Sequence, residues 1–217
     1  MAYNERQEIN YLKNDIADRK SDINMNGNAT MGDRISPLSY SGNNMKLQSG
    51  INMNDESAGQ ERKNLLAGLA IFLIGMISEI LGVQYGLIFG DYIYLNNLGF
   101  KILGVPIMIG INWIMLTYIT GSFSNYIFDG NKKAAIVFGA ILMVVLDLLI
   151  EPVAPEMGFW AFDSIFAPIQ NYIGWFTIGL LVQGIFHYST DKKDTTFSFH
   201  LLLVQIVFFT VLNFIAL

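Results

Sequence analysis

Asp147 and Glu151 close the run AAIVFGAILMVVLDLLI (Ala134 to Ile150), which carries Lys132 and Lys133 ahead of it and no charge before Asp147. A carboxylate held ionised in hydrocarbon costs roughly 3 kcal/mol on insertion scales, so two acids kept there one helical turn apart are candidates for chemistry. At i, i+4 they share one helical face. In a low dielectric two such neighbours cannot comfortably both ionise, which sets a proton donor beside a proton acceptor. That pair suits general acid–base catalysis on an apolar substrate. The alternative is a structural pair capped by Asn, Tyr or Trp hydrogen bonds. Glu79, in ISEILG, ends another apolar run and is a third acid of this kind, although a lone acid near a helix end can also snorkel to water. Asp91, in GDYIY, is a fourth candidate whose alternative is ordinary turn chemistry.

Two further sets of residues could serve these acids. Trp113, Trp160 and Trp175, with Tyr92, Tyr94 and Phe159, fall near the ends of apolar runs. An aromatic belt accounts for such a distribution, and ring faces would also stabilise a carbocation. Gly82, Gly86 and Gly90 form a GxxxGxxxG pattern, expected to be a helix-packing face that leaves room for a long flat ligand. Metal-centred chemistry has few ligands to draw on: the chain has no cysteine and only His187 and His200, too few for membrane di-iron or haem sites. No metal site is expected. Both histidines are read as interfacial.

The elements that must position these residues are membrane helices. Of 217 residues, 53% are hydrophobic and 14% charged, with mean hydropathy +0.41, where a soluble domain carries roughly 25% charged residues. The net charge of −5 offers no basic stripe for nucleic acid. Eight of the 13 Lys and Arg lie in residues 1–63. Residues 1–62 therefore read as a polar, disordered tail without the apolar core of a signal peptide, with Ile9, Leu12, Ile16 and Ile23 as a possible short helix. Residues 63–217 read as the transmembrane helical domain. Five spans are expected, Leu65–Val83, Leu103–Gly121, Ala134–Ile150, Tyr172–His187 and Phe197–Leu217, each near the ~20 residues a bilayer requires. Between the first two, QYGLIFGDYIYLNNLGFK reads as a re-entrant or interfacial segment. The fold class expected is thus all-α, a polytopic bundle.

Arg62, Lys63, Lys132, Lys133, Lys192 and Lys193 fall on one side of such a bundle, and Lys101 alone on the other. The positive-inside rule then places the tail in the cytoplasm and the protein in the cytoplasmic (inner) membrane. With that topology Glu79, Asp147 and Glu151 meet at one membrane level, beside the outer connections holding Asp91 and Asn171.

Four segments taken together, EILGVQYGLIFGDYIYLNNLG (Glu79–Gly99), GVPIMIGINW (Gly104–Trp113), DLLIEPVAPEMGFW (Asp147–Trp160) and QNYIGW (Gln170–Trp175), resemble in order and spacing the carotenoid biosynthesis membrane proteins that include the CruF-type carotenoid hydratases. The resemblance runs from about residue 64 onward. It implies cofactor-independent addition of water to the terminal C=C of an acyclic ψ-end carotenoid drawn from the bilayer. Positions matching the family's acidic and polar motif residues are Glu79, Asp91, Asp147, Glu151 and Asn171; Trp113, Trp160 and Trp175 match its aromatics. Family members usually carry further hydrophobic segments ahead of the Glu79 motif. Membrane lipid, other carotenoid enzymes or a subunit supplying helices are the partners to expect. Two other classes fit intramembrane acids: a proton, cation or lipid transporter, and a non-catalytic scaffold of an isoprenoid enzyme complex.

Overall fold

Helix starts in this chain coincide with residues that cap or open helices. Pro106 and Pro168, both extended, precede the helices Ile107–Ile127 and Ile169–Ser189, where proline's fixed φ is already suited and its missing N–H costs nothing. The Asn131 side chain accepts from Ala134 N (3.1 Å) to open Lys132–Ile150, and Asp194 Oδ1 accepts from Phe197 N (2.9 Å) to open Thr195–Ala216.

The computed structural model describes residues 38–164, 166–190 and 194–216, with side chains from residue 56 to 215. The order is α1 (Leu38–Tyr85), β1 (Tyr92–Tyr94), β2 (Lys101–Ile102), β3 (Val105–Pro106), α2 (Ile107–Ile127), α3 (Lys132–Ile150), β4 (Trp160–Phe162), α4 (Ile169–Ser189) and α5 (Thr195–Ala216). The chain divides into Met1–Asn52 and Met53–Leu217. In the first unit the described residues, from 38, are helical. The short helix expected around Ile9–Ile23 and the Lys192–Lys193 loop lie outside the described residues. The second unit carries everything discussed below. Residues 53–62, read from sequence as the end of the polar tail, continue α1. No proline interrupts the chain between Leu38 and Tyr85, so a helix nucleated by the apolar stretch can propagate backwards.

The chain is a helical membrane protein. Among the described residues, four helices are long and apolar enough to cross a membrane: Glu56–Tyr85, Ile107–Ile127, Lys132–Ile150 and Thr195–Ile215. The fifth, α4, has 21 residues but carries Gln170, Asn171, Gln183 and His187, which lower its hydropathy. Leu65, Leu69, Leu73 and Ile77 leave an exposed apolar stripe along α1, the face a helix turns to lipid. Inside, Trp113, Leu116, Ile119, Met143, Leu146 and Val182 are fully or almost fully buried. Small residues bring the helices close: a side chain at Gly75 would overlap the Trp113 ring, and one at Gly110 would overlap Phe72.

The segment between α1 and α2 is a folded cover built of turns and short strands. α1 stops at Gly86 (φ +63), whose N–H returns to Gly82 O (2.8 Å), the αL form of helix termination. Gly90 is also left-handed (φ +94). The expected glycine face is therefore corrected: only Gly82 is helical, and it packs on Tyr92 and Phe89. Gly86 and Gly90 share its spacing but lie past the helix end, where they supply positive φ. Ile88 (φ +70) centres a γ-turn in which Phe89 N donates to Leu87 O (2.8 Å), a strained conformation for a β-branched residue. β2 and β3 form a hairpin turned by Leu103 and Gly104, both at positive φ. β1 pairs antiparallel with β4 in the register Tyr92↔Phe162, Ile93↔Ala161, Tyr94↔Trp160. Alternation buries Tyr92 and Tyr94 and leaves Ile93 57% exposed.

Candidate active site

Three helix ends and one small sheet converge on a single spot. Glu79 comes from the C-terminal part of α1, Asp147 from the last turn of α3, and Asn171 and Trp175 from the first two turns of α4. β1 and β4 close over them with Tyr92, Tyr94, Trp160 and Phe162. Glu151 follows α3 directly, in αR conformation (φ −48, ψ −49), and its N–H donates to Asp147 O (2.9 Å). Proline at 152 disfavours that conformation for the residue before it, yet the helical turn continues and keeps both acids on one face.

Each acid accepts from named donors, one of which, Asn171, serves two of them. Glu79, 3% exposed, accepts from three side chains: the Tyr92 hydroxyl, the Tyr94 hydroxyl (2.8 Å) and Trp113 Nε1 (3.1 Å). Burial and the neighbouring Glu79 push both tyrosine phenols well above their ordinary range, so they act as O–H donors at any ordinary pH. Asp147, 2% exposed, accepts from Asn171 Nδ2 (2.7 Å), which also reaches Glu151 Oε1 (3.3 Å). Trp160 Nε1 donates to the other Glu151 oxygen (3.2 Å). The Asp147 and Glu151 carboxyls are close enough to share a hydrogen bond once one of them carries a proton. Burial raises Glu151 to about 7, against the opposing pull of the bonds from Trp160 and Asp147.

Between these groups lies a cavity of about 20 Å³, lined by Glu79, Asp147, Glu151 and Asn171 on its polar side. Phe89, Tyr92, Tyr94, Trp160, Phe162 and Trp175 supply the rest of the wall. One water needs roughly 10–15 Å³ and two to four polar partners, so the cavity fits one water. Behind it Trp175 stacks on Trp113 with ring centres 4.5 Å apart, and Phe89 packs 6.2 Å from Trp175. No lysine or arginine is among the lining residues. Among the described residues no group of three or more His, Asp or Glu is arranged to hold a metal ion.

Of the residues singled out from sequence, Glu79, Asp147, Glu151, Asn171, Tyr94, Trp160 and Trp175 line this cavity. Trp113 stands one layer behind and holds Glu79. Asp91 does not reach the cavity. It is exposed, and its carboxylate lies against Gly86 while its carbonyl accepts from Asp163 N (3.2 Å). Its part is in the turn and the start of the β1–β4 ladder. His187, expected at an interface, is 1% exposed and packs edge-on against Phe186 (5.3 Å between ring centres). Sequence reasoning did not single out Phe89 and Phe162, and it named Tyr92 only among the aromatics of a belt that could also face a cation. The alternation in YIY and WAF was the available signal for two of them, because period two puts Tyr92 with Tyr94 and Trp160 with Phe162.

Bisanhydrobacterioruberin hydratase of Haloarcula japonica is 27% identical over 137 residues, which are 58% of this chain and 46% of that protein. The chain thus matches about half the length of that relative. No solved structure matches it. The sequence model for carotenoid biosynthesis proteins matches residues 53–217, the same stretch that builds the bundle and its cavity, and the chain belongs to that family.

Proposed function

We propose that this protein is a membrane-embedded carotenoid hydratase, adding water to the terminal C=C of an acyclic ψ-end carotenoid to give a tertiary alcohol. The observation that carries the reading is the one-water cavity walled by three acids and six aromatic rings. Hydration of a trisubstituted alkene needs an acid for the less substituted carbon, a shield for the tertiary cation and one water, in a site otherwise dry.

The residues divide these tasks. The Asp147 proton passes to the less substituted carbon, whose π pair becomes the new C–H bond and leaves the positive charge on the tertiary carbon. Trp160 or Trp175 faces that charge. The water oxygen, held by Asn171, bonds to the cation, and its surplus proton goes to Glu151 or Glu79. Where Glu151 takes that proton, its transfer to the adjacent Asp147 restores the starting state; where Glu79 takes it, the next water in the cavity that Glu79 and Asp147 both line relays it back to Asp147, and no external reagent enters the balance. The Haloarcula relative, itself named a hydratase, supports this choice among carotenoid reactions.

The cavity lies at the C-terminal ends of α1 and α3 and the N-terminal end of α4, with Trp113 of α2 behind it, away from Arg62, Lys63, Lys132 and Lys133. By the positive-inside rule the N-terminal side is cytoplasmic and the acids lie toward the opposite leaflet of the inner membrane. Expression of the full chain in a lycopene-producing host, followed by mass analysis of the pigments, tests the reaction. A pigment heavier by one water is the expected result. Unchanged lycopene with the protein present in the membrane would refute it.

A further inference from the structure

A second, larger hollow adjoins the one-water cavity and shares Glu151, Trp160 and Phe162 with it. Its volume is about 520 Å³, within the roughly 300–1,000 Å³ of ordinary ligand pockets. Leu148, Pro152, Pro155, Phe166, Ala167 and Tyr172 form its remaining apolar walls. Leu148 and Tyr172 directly follow Asp147 and Asn171 in sequence, so they turn to the outer side of the α3–α4 pair. Leu148 is 48% exposed and Phe166 82%, which opens the mouth of the cleft sideways, toward lipid. Trp160 and Phe162 stand as the partition between greasy cleft and acid cavity.

We infer that this cleft seats the reacting end of the acyclic isoprenoid, which slides in laterally between the ends of α3 and α4 and presents its last double bond past Trp160. The inference rests on the hydratase reading and adds to it an entry route and a recognition element. It takes the place of the room expected beside a glycine face, because a side chain at Gly86 would meet Asp91 and one at Gly90 would meet Pro168. Continuity with the acids selects the occupant: an apolar chain terminus needs apolar walls up to the atom that reacts and a proton donor there. The rest of a polyene as long as the ~30 Å bilayer core stays in lipid. Another cleft, of about 310 Å³, touches Trp160 from the Met108 and Phe209 side but shares no acid with the cavity, and it serves as the control.

The test is a volume series at Ala167 (Val, Leu, Trp) and Leu148→Trp, in the full chain in a lycopene-producing host. Hydrated pigment is measured per amount of protein accumulated in the membrane. Product should fall stepwise, more than tenfold at Ala167→Trp, while Met108→Trp stays within twofold of the unmodified chain. Should Ala167→Trp fail to accumulate, the Val and Leu steps decide by the same criterion. An unmodified chain that hydrates while Ala167→Trp matches it, or Met108→Trp losing as much as Ala167→Trp, overturns the cleft alone. An unmodified chain that hydrates nothing overturns the hydratase reading and the cleft with it.

Discussion

Among the described residues, two clusters of buried polar side chains differ in kind. Near the ends of α1 and α3, Glu79, Asp147 and Glu151 surround a cavity and take hydrogen bonds from Asn171, Trp113, Trp160 and two tyrosines. Toward the other end, Gln183, Thr117, Thr120 and His187 are equally buried, at 0–1% exposure, but carry no carboxylate. Gln183 Nε2 donates to Thr120 Oγ1 (2.7 Å) and Thr117 O (3.2 Å), and each threonine hydroxyl donates to the carbonyl four residues back. That knot fills its space, with Gly139 and Gly121 pressed against Gln183. Interhelical polar contacts of this type hold membrane helices together for about 0.6 kcal/mol each. Burial of a polar group therefore does not mark a site. Acids with several donors beside an unfilled cavity do.

Exchanging residues at the two ends should separate them sharply. Asp147→Asn keeps shape and removes the proton donor, so hydrated pigment should drop by about 10²–10⁴, the usual contribution of a general acid, with membrane accumulation unchanged. Gln183→Leu should do the reverse, leaving product per folded protein within a few fold while lowering the detergent melting temperature. Equal loss of product in both variants would erase the distinction. Next in size, Tyr94→Phe removes one of three donors to Glu79. A hydrogen bond to a charged group contributes about 1.5–3 kcal/mol, hence a loss of roughly ten- to a hundredfold in rate if Glu79 must be held ionised.

The pH profile sharpens the contrast further. Glu151, at about 7, is protonated below that value and ionised above it. If it takes the proton released by water, the rate rises with pH through about 7, and a rate that falls there instead would make Glu151 the acid. The linked stability has the opposite sign. A carboxyl whose folded value exceeds its ordinary 4.5 binds its proton more tightly in the native state, so the stability it confers is present at low pH and is lost between about 4.5 and 7. Titration of the melting temperature checks that sign. The smallest effect belongs to Gly86→Ala, which places a side chain at φ +63 against Asp91 and should cost on the order of 1 kcal/mol or slightly more.

Most of the helices and most of the site were readable from the amino-acid order for one physical reason. Carboxylates are so costly in lipid that Glu79 and Asp147 stand out against their surroundings; Asn171, expected in an outer connection and marked only by the family resemblance, lies instead in the first turn of α4. Asp91 misleads because an acid in a loop carries no such penalty. Gly86 and Gly90 mislead because the spacing of four continues past the residue where the helix ends, and only the backbone dihedrals reveal it. Local alternation groups Tyr92 with Tyr94 and Trp160 with Phe162, but bringing the two pairs together needs β1 to pair with β4 across the whole α2–α3 hairpin, which no local pattern encodes.

That pairing has a kinetic consequence. Helices can enter a membrane one after another as the chain emerges, but Tyr92 and Phe162 cannot meet until everything between them is in place, and closing so long a loop is entropically slow. The aromatic roof should be the last part to assemble and the first to come apart. Gentle solubilisation would then extinguish turnover while helical circular dichroism still looks native.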